Sequence, residues 1–327
     1  MTVYYRYLAW GKEAAWKTTP GVALSIFTNA YKVSVKANQN INEESTFAGN
    51  EVVTKSPGKY EVNGSIDMPC YVDGLGWALT AMYGLPASLQ QGATACYEHI
   101  FTPKNSVVTY TVDLGRDAYA RELISLVVKS FGLKFAAAKD VAASFEFYAV
   151  TEQLVAAQVP TFSTYIQSLH WGDVTLTIDG DTYNCRALDL KTEVARDEAD
   201  LGLGDRFLKG AVKEMFKCTL KMDISFVDDS DLGKFYDGIT GAAMGKGPGD
   251  TVADFALTLN MTNAVDIGGG EFERLIIECP KAYFKDEGSD VDGKKRIIRN
   301  INIGTIKDMT LGYGHRIKLY NRIAAYT

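Results

Sequence analysis

The sequence predicts a mainly β chain folded as two tandem sandwich-type domains, residues 1–155 and 156–327, each with a short flanking α-helix and a long hairpin arm. Three observations lead there. First, the chain repeats a pattern: YEVNGSIDMPCYVDGLGWALTAMYG from Tyr60 is answered by FKCTLKMDISFVDDSDLGKFYDGITG from Phe216. In both, a strand with an Ile-Asp-Met or Met-Asp-Ile centre runs through an aromatic into an acidic turn and a short apolar helix. Repeats of pattern and order set the architecture before any local reading. Second, strand-like alternation and β-branched enrichment dominate elsewhere. Third, each copy is preceded by a polar excursion, residues 38–59 and 193–213, of a length unusual inside a β domain and so marked for function.

Taken in order, strands are expected over YKVSVK from Tyr31, from Tyr60 to Asp67 and over VVTYTVDL from Val107. An apolar strand, RELISLVVKSFGLKF, starts at Arg121 and has its counterpart in FERLIIECPKAYFKD from Phe272. Residues 151–164 read as a connector between the copies. VTLTID from Val174 runs into Asp179-Gly180-Asp181, the chemistry of a tight hairpin turn, and returns at Tyr183. Further strands are expected from Phe216 to Phe226, from Phe255 to Met261 and from Ile297 to Ile303, with a turn at Gly268-Gly269-Gly270. Helical periodicity is confined to Leu75 to Tyr83 and Leu232 to Ile239, at the same place in each copy. Asp73 and the Asp228-Asp229-Ser230-Asp231 run are expected to cap these helices and oppose their dipoles.

A hydrophobic content of 46% over 327 residues suffices for two cores, and no apolar run is long enough to span a bilayer. The opening MTVYYRYLAWGKE lacks the features of a secretory signal. Cys70, Cys96, Cys185, Cys218 and Cys279 are dispersed and odd in number, which suggests reduced thiols in a protein made in a reducing cytoplasm. A net charge of −6 argues against a nucleic-acid-gripping surface.

Chemistry is sparse. His99, His170 and His315 stand in no metal-ligand or catalytic spacing. The Gly245 run GKGPGD lacks the phosphate-loop frame, and residues 286–293 (DEGSDVDG) fail the calcium-loop frame and read as a solvated loop. We therefore expect no catalytic, cofactor or metal site: the protein is not an enzyme, and its function lies in its surface and symmetry.

The residues of LAWGKEAAWKTTPG resemble the G-x-E-x-x-[YW]-x-T opening of tail tube proteins of long-tailed (siphovirus-type) bacteriophages, carried here by Gly11, Glu13, Trp16 and Thr18. The later order is also similar: a polar arm, a strand ending at Met68-Pro69, DGLGWALTAMYG, and YARELISLVVK. The second copy lacks the G-x-E opening and begins at Leu169-His170-Trp171. The resemblance implies a β-sandwich or half-barrel tail-tube unit. Six units would close into a ring with a β-lined lumen, and stacked rings would conduct genomic DNA into the host. Two units per chain imply three chains per ring, a trimer with pseudo-hexameric symmetry. Implied partners are further copies of the chain, the terminator, tape measure and distal tail proteins, and double-stranded DNA in transit without specific binding. The location would be the virion tail. An acidic lumen would repel phosphates at short range. The arms would join rings or subunits through Asn42, Glu43, Glu44, Phe47 and Glu51 in the first copy and Arg196, Asp197, Glu198, Asp200 and Arg206 in the second. The competing readings are a hexameric tube of a contractile tail or secretion-type system, and a two-domain β-sandwich binding module that gains avidity from its pair.

Overall fold

A computed structural model describes residues 6–21, 24–45, 52–116, 119–162, 167–183, 185–196, 206–210, 213–224, 254–290 and 298–326. Strands dominate. The first half contains β1 (Arg6–Lys12), β2 (Ile26–Thr28), β3 (Lys32–Asn38), β4 (Ile41–Ser45), β5 (Val52–Pro57) and β6 (Glu61–Pro69). After these come α1 (Val72–Tyr83), β7 (Ala87–Gln90), β8 (Tyr97–Phe101), β9 (Tyr110–Arg116), β10 (Tyr119–Ala136), β11 (Ala142–Ala149) and β12 (Thr151–Ala156). A short 3-10 turn, Trp171–Asp173, opens the second half. There follow β13 (Val174–Ile178), β14 (Asp181–Tyr183), β15 (Cys185–Arg196), β16 (Lys213–Ile224), β17 (Phe255–Gly268), β18 (Glu271–Asp290), β19 (Ile298–Thr305) and β20 (Arg316–Asn321).

The long strand β10 organises the first half, because it belongs to two sheets. Its N-terminal part lies between β9 and β12, with β1 beyond β9. Its C-terminal part pairs with β11, which leads through β6 to β3. The strand changes sheet at a break in the ladder between Leu123 and Leu126, where Ser125 has φ 53°. A serine in this left-handed region needs help from its surroundings. Glu13 supplies it. The Glu13 carboxylate accepts bonds from the Ser125 amide (2.7 Å) and hydroxyl (2.6 Å), and from the hydroxyls of Thr109 and Thr111 (both 2.8 Å). The carboxylate is buried and fully engaged, so the kink is locked to β9 and to the opening segment.

The second half reproduces this plan. β18 pairs with β17 and β20 through its N-terminal part and with β19 through its C-terminal part, and β19 leads through β16 to β15. β13 flanks β17 as β1 flanks β9. Irregularities match too. Lys129 is skipped between Val128 and Ser130, and Lys285 between Phe284 and Asp286. One constant shift carries Lys129 onto Lys285, Ile66 onto Met222 and Phe145 onto Ile301. At the second kink Pro280 occupies the place of Ile124. Proline has no amide to give the ladder, so the break there needs no carboxylate.

The two halves interlock. β10 pairs with β15 over seven positions, from Ser130↔Glu193 to Ala136↔Ala187, and β20 pairs with β8. One sheet therefore runs β3-β6-β11-β10-β15-β16-β19-β18, and one core cluster draws on both halves. The expected boundary at residue 155 falls at the end of β12. Helix α1 is buried along nearly its whole length, as a helix apolar all round must be. A Cβ on Gly76 would lie 1.9 Å from the Tyr326 ring, so this glycine lets the C-terminal tyrosine pack against Trp77 at 4.9 Å.

Several expectations are corrected. Residues 151–156 form β12 rather than connector, because β11 reverses at Val150 and its successor completes the edge of β10. Residues 286–290 continue β18 instead of forming a loop, held by pairing with β19. Asp73 is not a cap. The cap position is Tyr71, without a side-chain bond, and the Asp73 carboxylate is buried near Glu273 and Arg322. The strand expected from Val107 begins at Tyr110. The hairpin at Asp179-Gly180 stands as expected, with both residues at positive φ (50° and 90°) as a type I′ turn requires. The second helix, its acidic cap and the Gly245 run lie outside the described residues.

Two predictions follow from this interior. Glu13→Ala strands four donors and should cost about 3 kcal/mol or more by chemical denaturation, whereas loss below about 0.5 kcal/mol would show the clamp to be idle. Burial, with Glu273 nearby, pushes Asp73 up to about 6, and burial with Glu122 nearby pushes Asp113 to about 6. A raised carboxyl pKa stabilises the fold below the ordinary carboxyl range, and that contribution is lost as pH rises through about 6. Unfolding titrations should therefore show stability rising by roughly 1–3 kcal/mol from pH 7 to pH 4 relative to Asp73→Asn, and parallel curves would contradict the assignment.

Candidate assembly surfaces

The first polar excursion is a hairpin. β4 and β5 pair only with each other among the described residues, from Ile41↔Pro57 to Ser45↔Val52. Asn42 and Glu43 are exposed and lie opposite Ser56 and Lys55; Glu44 lies opposite Thr54. Phe47 and Glu51 fall outside the described residues. The root is pinned by Asn40, whose carbonyl accepts from the Gly58 amide at 2.7 Å and whose side chain donates to the Lys59 carbonyl at 3.1 Å. Among the described residues no other strand pairs with this ribbon, so its edges are a ready template for another chain.

The second excursion behaves differently where it is described. Arg196 ends β15 opposite Lys213 at its root. Asp197, Glu198 and Asp200 lie outside the described residues. Arg206 does not sit on a projecting tip: its carbonyl accepts from the Tyr60 amide at 3.0 Å, and its guanidinium stacks over the rings of Tyr60 (5.6 Å) and Phe207 (5.9 Å). Leu208 is buried with Val127, Tyr148 and Val150. The Trp16 indole donates to the Leu208 carbonyl at 3.2 Å, and Lys17 lies over Phe207 at 5.4 Å. Aromatic and basic residues pull this stretch back onto the root of the first arm, so the two excursions meet there.

Of the opening motif, Glu13 locks the β10 kink, Trp16 holds the returning segment, and Gly11 admits Leu24, whose Cδ2 would lie 2.2 Å from an added Cβ. Ser125 and Leu208 were not foreseen. Neither residue type signals a left-handed kink or a long-range dock.

The eight-strand sheet turns its other face outward. Lys129, Lys134, Lys191, Lys217 and Lys221 are interleaved there with Glu146, Asp189, Glu193 and Asp223, and Lys134 pairs with Asp189 at 3.3 Å. A cleft of about 300 Å3 between β2 and α1 is lined by Phe27, Tyr71, Asp73, Trp77 and Phe162. His99 is enclosed by Ser88, Asn321 and the Ile323 carbonyl; His315 is buried against the Tyr83 hydroxyl at 2.8 Å, and burial pushes it down to about 4. His170 is exposed beside Asp140. All five cysteines are free thiols, and among the described residues no three His, Cys, Asp or Glu side chains converge as a metal site. No described helix is long and apolar enough to cross a membrane.

A family model described as phage tail tube protein matches residues 6–295. No curated protein matches the chain.

The Trp16 dock can be tested by substitution. Trp16→Phe should lose mainly the indole bond, about 1 kcal/mol, while Trp16→Ala should cost about 2 kcal/mol or more through lost packing. Equal denaturation midpoints for the wild type and Trp16→Ala would contradict the dock.

Proposed function

The chain belongs to the phage tail tube protein family, and on that premise we propose that it builds the tube as stacked rings of three copies. It is mainly β and, as its family implies, a structural protein of the virion. In our reading each copy carries two tail-tube units, so a trimeric ring has pseudo-hexameric symmetry. The observation that carries this reading is the constant shift relating the β6-β11-β10 ladder to the β16-β19-β18 ladder, with β10 and β18 breaking at the same place along it. A ring needs units that present the same edges in sequence, and β10–β15 pairing already joins two of them edge to edge.

Three copies of an eight-strand sheet would close about 24 strands. With strands roughly 4.8 Å apart and tilted by roughly 40°, the barrel would be about 50 Å across, wide enough to pass duplex DNA. The polar face of that sheet is the natural lumen wall, since the opposite face is spent on the core. In this reading the wall carries charges of both signs rather than acids alone. Lysines and carboxylates alternate, and several are paired, so a passing phosphate backbone meets neither a dominant attraction nor a uniform repulsion. Ejection of the genome through a siphovirus-type tail, with terminator, tape measure and distal tail proteins at the tube's ends and along its lumen, completes the reading.

The β4–β5 hairpin is assigned to contacts between rings. Deleting residues 42–52 should leave the unfolding free energy within about 0.5 kcal/mol of the intact chain's, because an exposed arm adds little to the core. Electron micrographs should then show single rings where the intact chain gives tubes. Tubes of unchanged length in the deletion would refute the arm assignment, and an intact chain that stays dispersed under virion-like conditions would refute the tube reading itself.

A further inference from the structure

We propose that neighbouring copies join side by side by pairing the acidic end of β18 with the lysine-bearing edge of β3, in the register that β10 and β15 use within one copy. This rests on the ring reading above and specifies its lateral joint. The two edges are the ends of the eight-strand sheet. Among the described residues β3 pairs only with β6, and β18 beyond Ala282 pairs only with β19.

The internal joint supplies the template. The shift that superimposes the two ladders carries Ser130–Lys134 of β10 onto Asp286–Asp290 of β18. On the other side, Val33 corresponds to Leu188, since they pair with Ile66 and Met222, which the same shift relates. Transposing Ser130↔Glu193 and its neighbours then places Asp286 opposite Asn38, Gly288 opposite Lys36, Ser289 opposite Val35 and Asp290 opposite Ser34 of the next copy.

Charge agrees with that register. Lys36 has Asp286 and Asp290 at its two diagonal positions, and Asp290 faces Ser34, flanked along β3 by Lys32 and Lys36. Opposite and diagonal positions are the ones that interact across a strand pair. At the template joint the position of Asp290 is held by Lys134, which pairs with Asp189 at 3.3 Å. The same charges forbid the alternatives. Pairing β3 with β3 would set lysine against lysine, and β18 with β18 acid against acid. Exposed edge strands commonly carry lysine to prevent promiscuous pairing, and here only the acidic edge can accept them. The contact is therefore head to tail, the type that closes into rings.

Two experiments on the full chain test the joint. The double variant Val35→Cys with Ser289→Cys, oxidised during assembly, should give covalent dimers and trimers between copies, whereas the off-register pair Val33→Cys with Ser289→Cys should not. Separately, Lys32→Glu with Lys36→Glu should raise the concentration needed for ring formation by about tenfold or more, and adding Asp286→Lys with Asp290→Lys should restore it to within about threefold. Tubes that form normally without in-register cross-links, or a charge reversal that the second pair fails to rescue, would overturn the joint and leave the tube reading intact. Failure of the wild-type chain to form rings would overturn both.

Discussion

The kink in β10 is the constraint on which the rest of the molecule depends. A strand of 18 residues cannot serve two sheets unless its ladder breaks once, at a fixed place. Ser125 provides the break by adopting a positive φ, and the buried Glu13 carboxylate makes that conformation stable by taking both its amide and its hydroxyl. The hydroxyls of Thr109, just before β9, and of Thr111, on it, satisfy the remaining lone pairs, so a charge that would be costly alone becomes a rivet between three segments. Above the kink β10 belongs to the β9–β12 branch. Below it the strand is free to meet β11 on one side and β15 on the other. Without that change of sheet there would be no edge for the second half to join.

The second half reaches the same geometry with different chemistry. Pro280 withholds an amide where Ile124 offers one, and the Ile306 amide bonds to the Lys281 carbonyl much as the Val150 amide bonds to the Ile124 carbonyl. This explains why the halves share order and ladder but few letters. What is repeated is the place where a strand must leave its partner, and more than one residue can enforce that. Sharing one core also removes the requirement that each half be stable alone.

Strands with clean alternation were legible in the sequence, as was the hairpin at Asp179-Gly180, because period and turn chemistry are local. The first arm was legible as a polar stretch with strand-like ends. Residues 286–290 were not, since acidic composition looks like solvated loop until a partner strand, β19, is known. Residues 151–156 read as connector because they lie between the two copies, whereas what makes them β12 is pairing with β10, set some thirty residues away. Arg206 falls in the second polar excursion, and nothing local in the sequence signals that its guanidinium settles over Tyr60 and Phe207, a contact that links distant parts of the chain. Glu13 could be singled out only within the motif around it. Its partners Thr109, Thr111 and Ser125 carry no mark in the letters.

Two unlike halves joined through β10 and β15 should leave their imprint on the assembled tube as alternating sectors. The most direct measurement is an averaged cross-section of tubes grown from the purified chain. Six sectors in alternating pairs, with threefold symmetry and one chain per two sectors, is the predicted result. Six complete chains per ring, related by true sixfold symmetry, would contradict it.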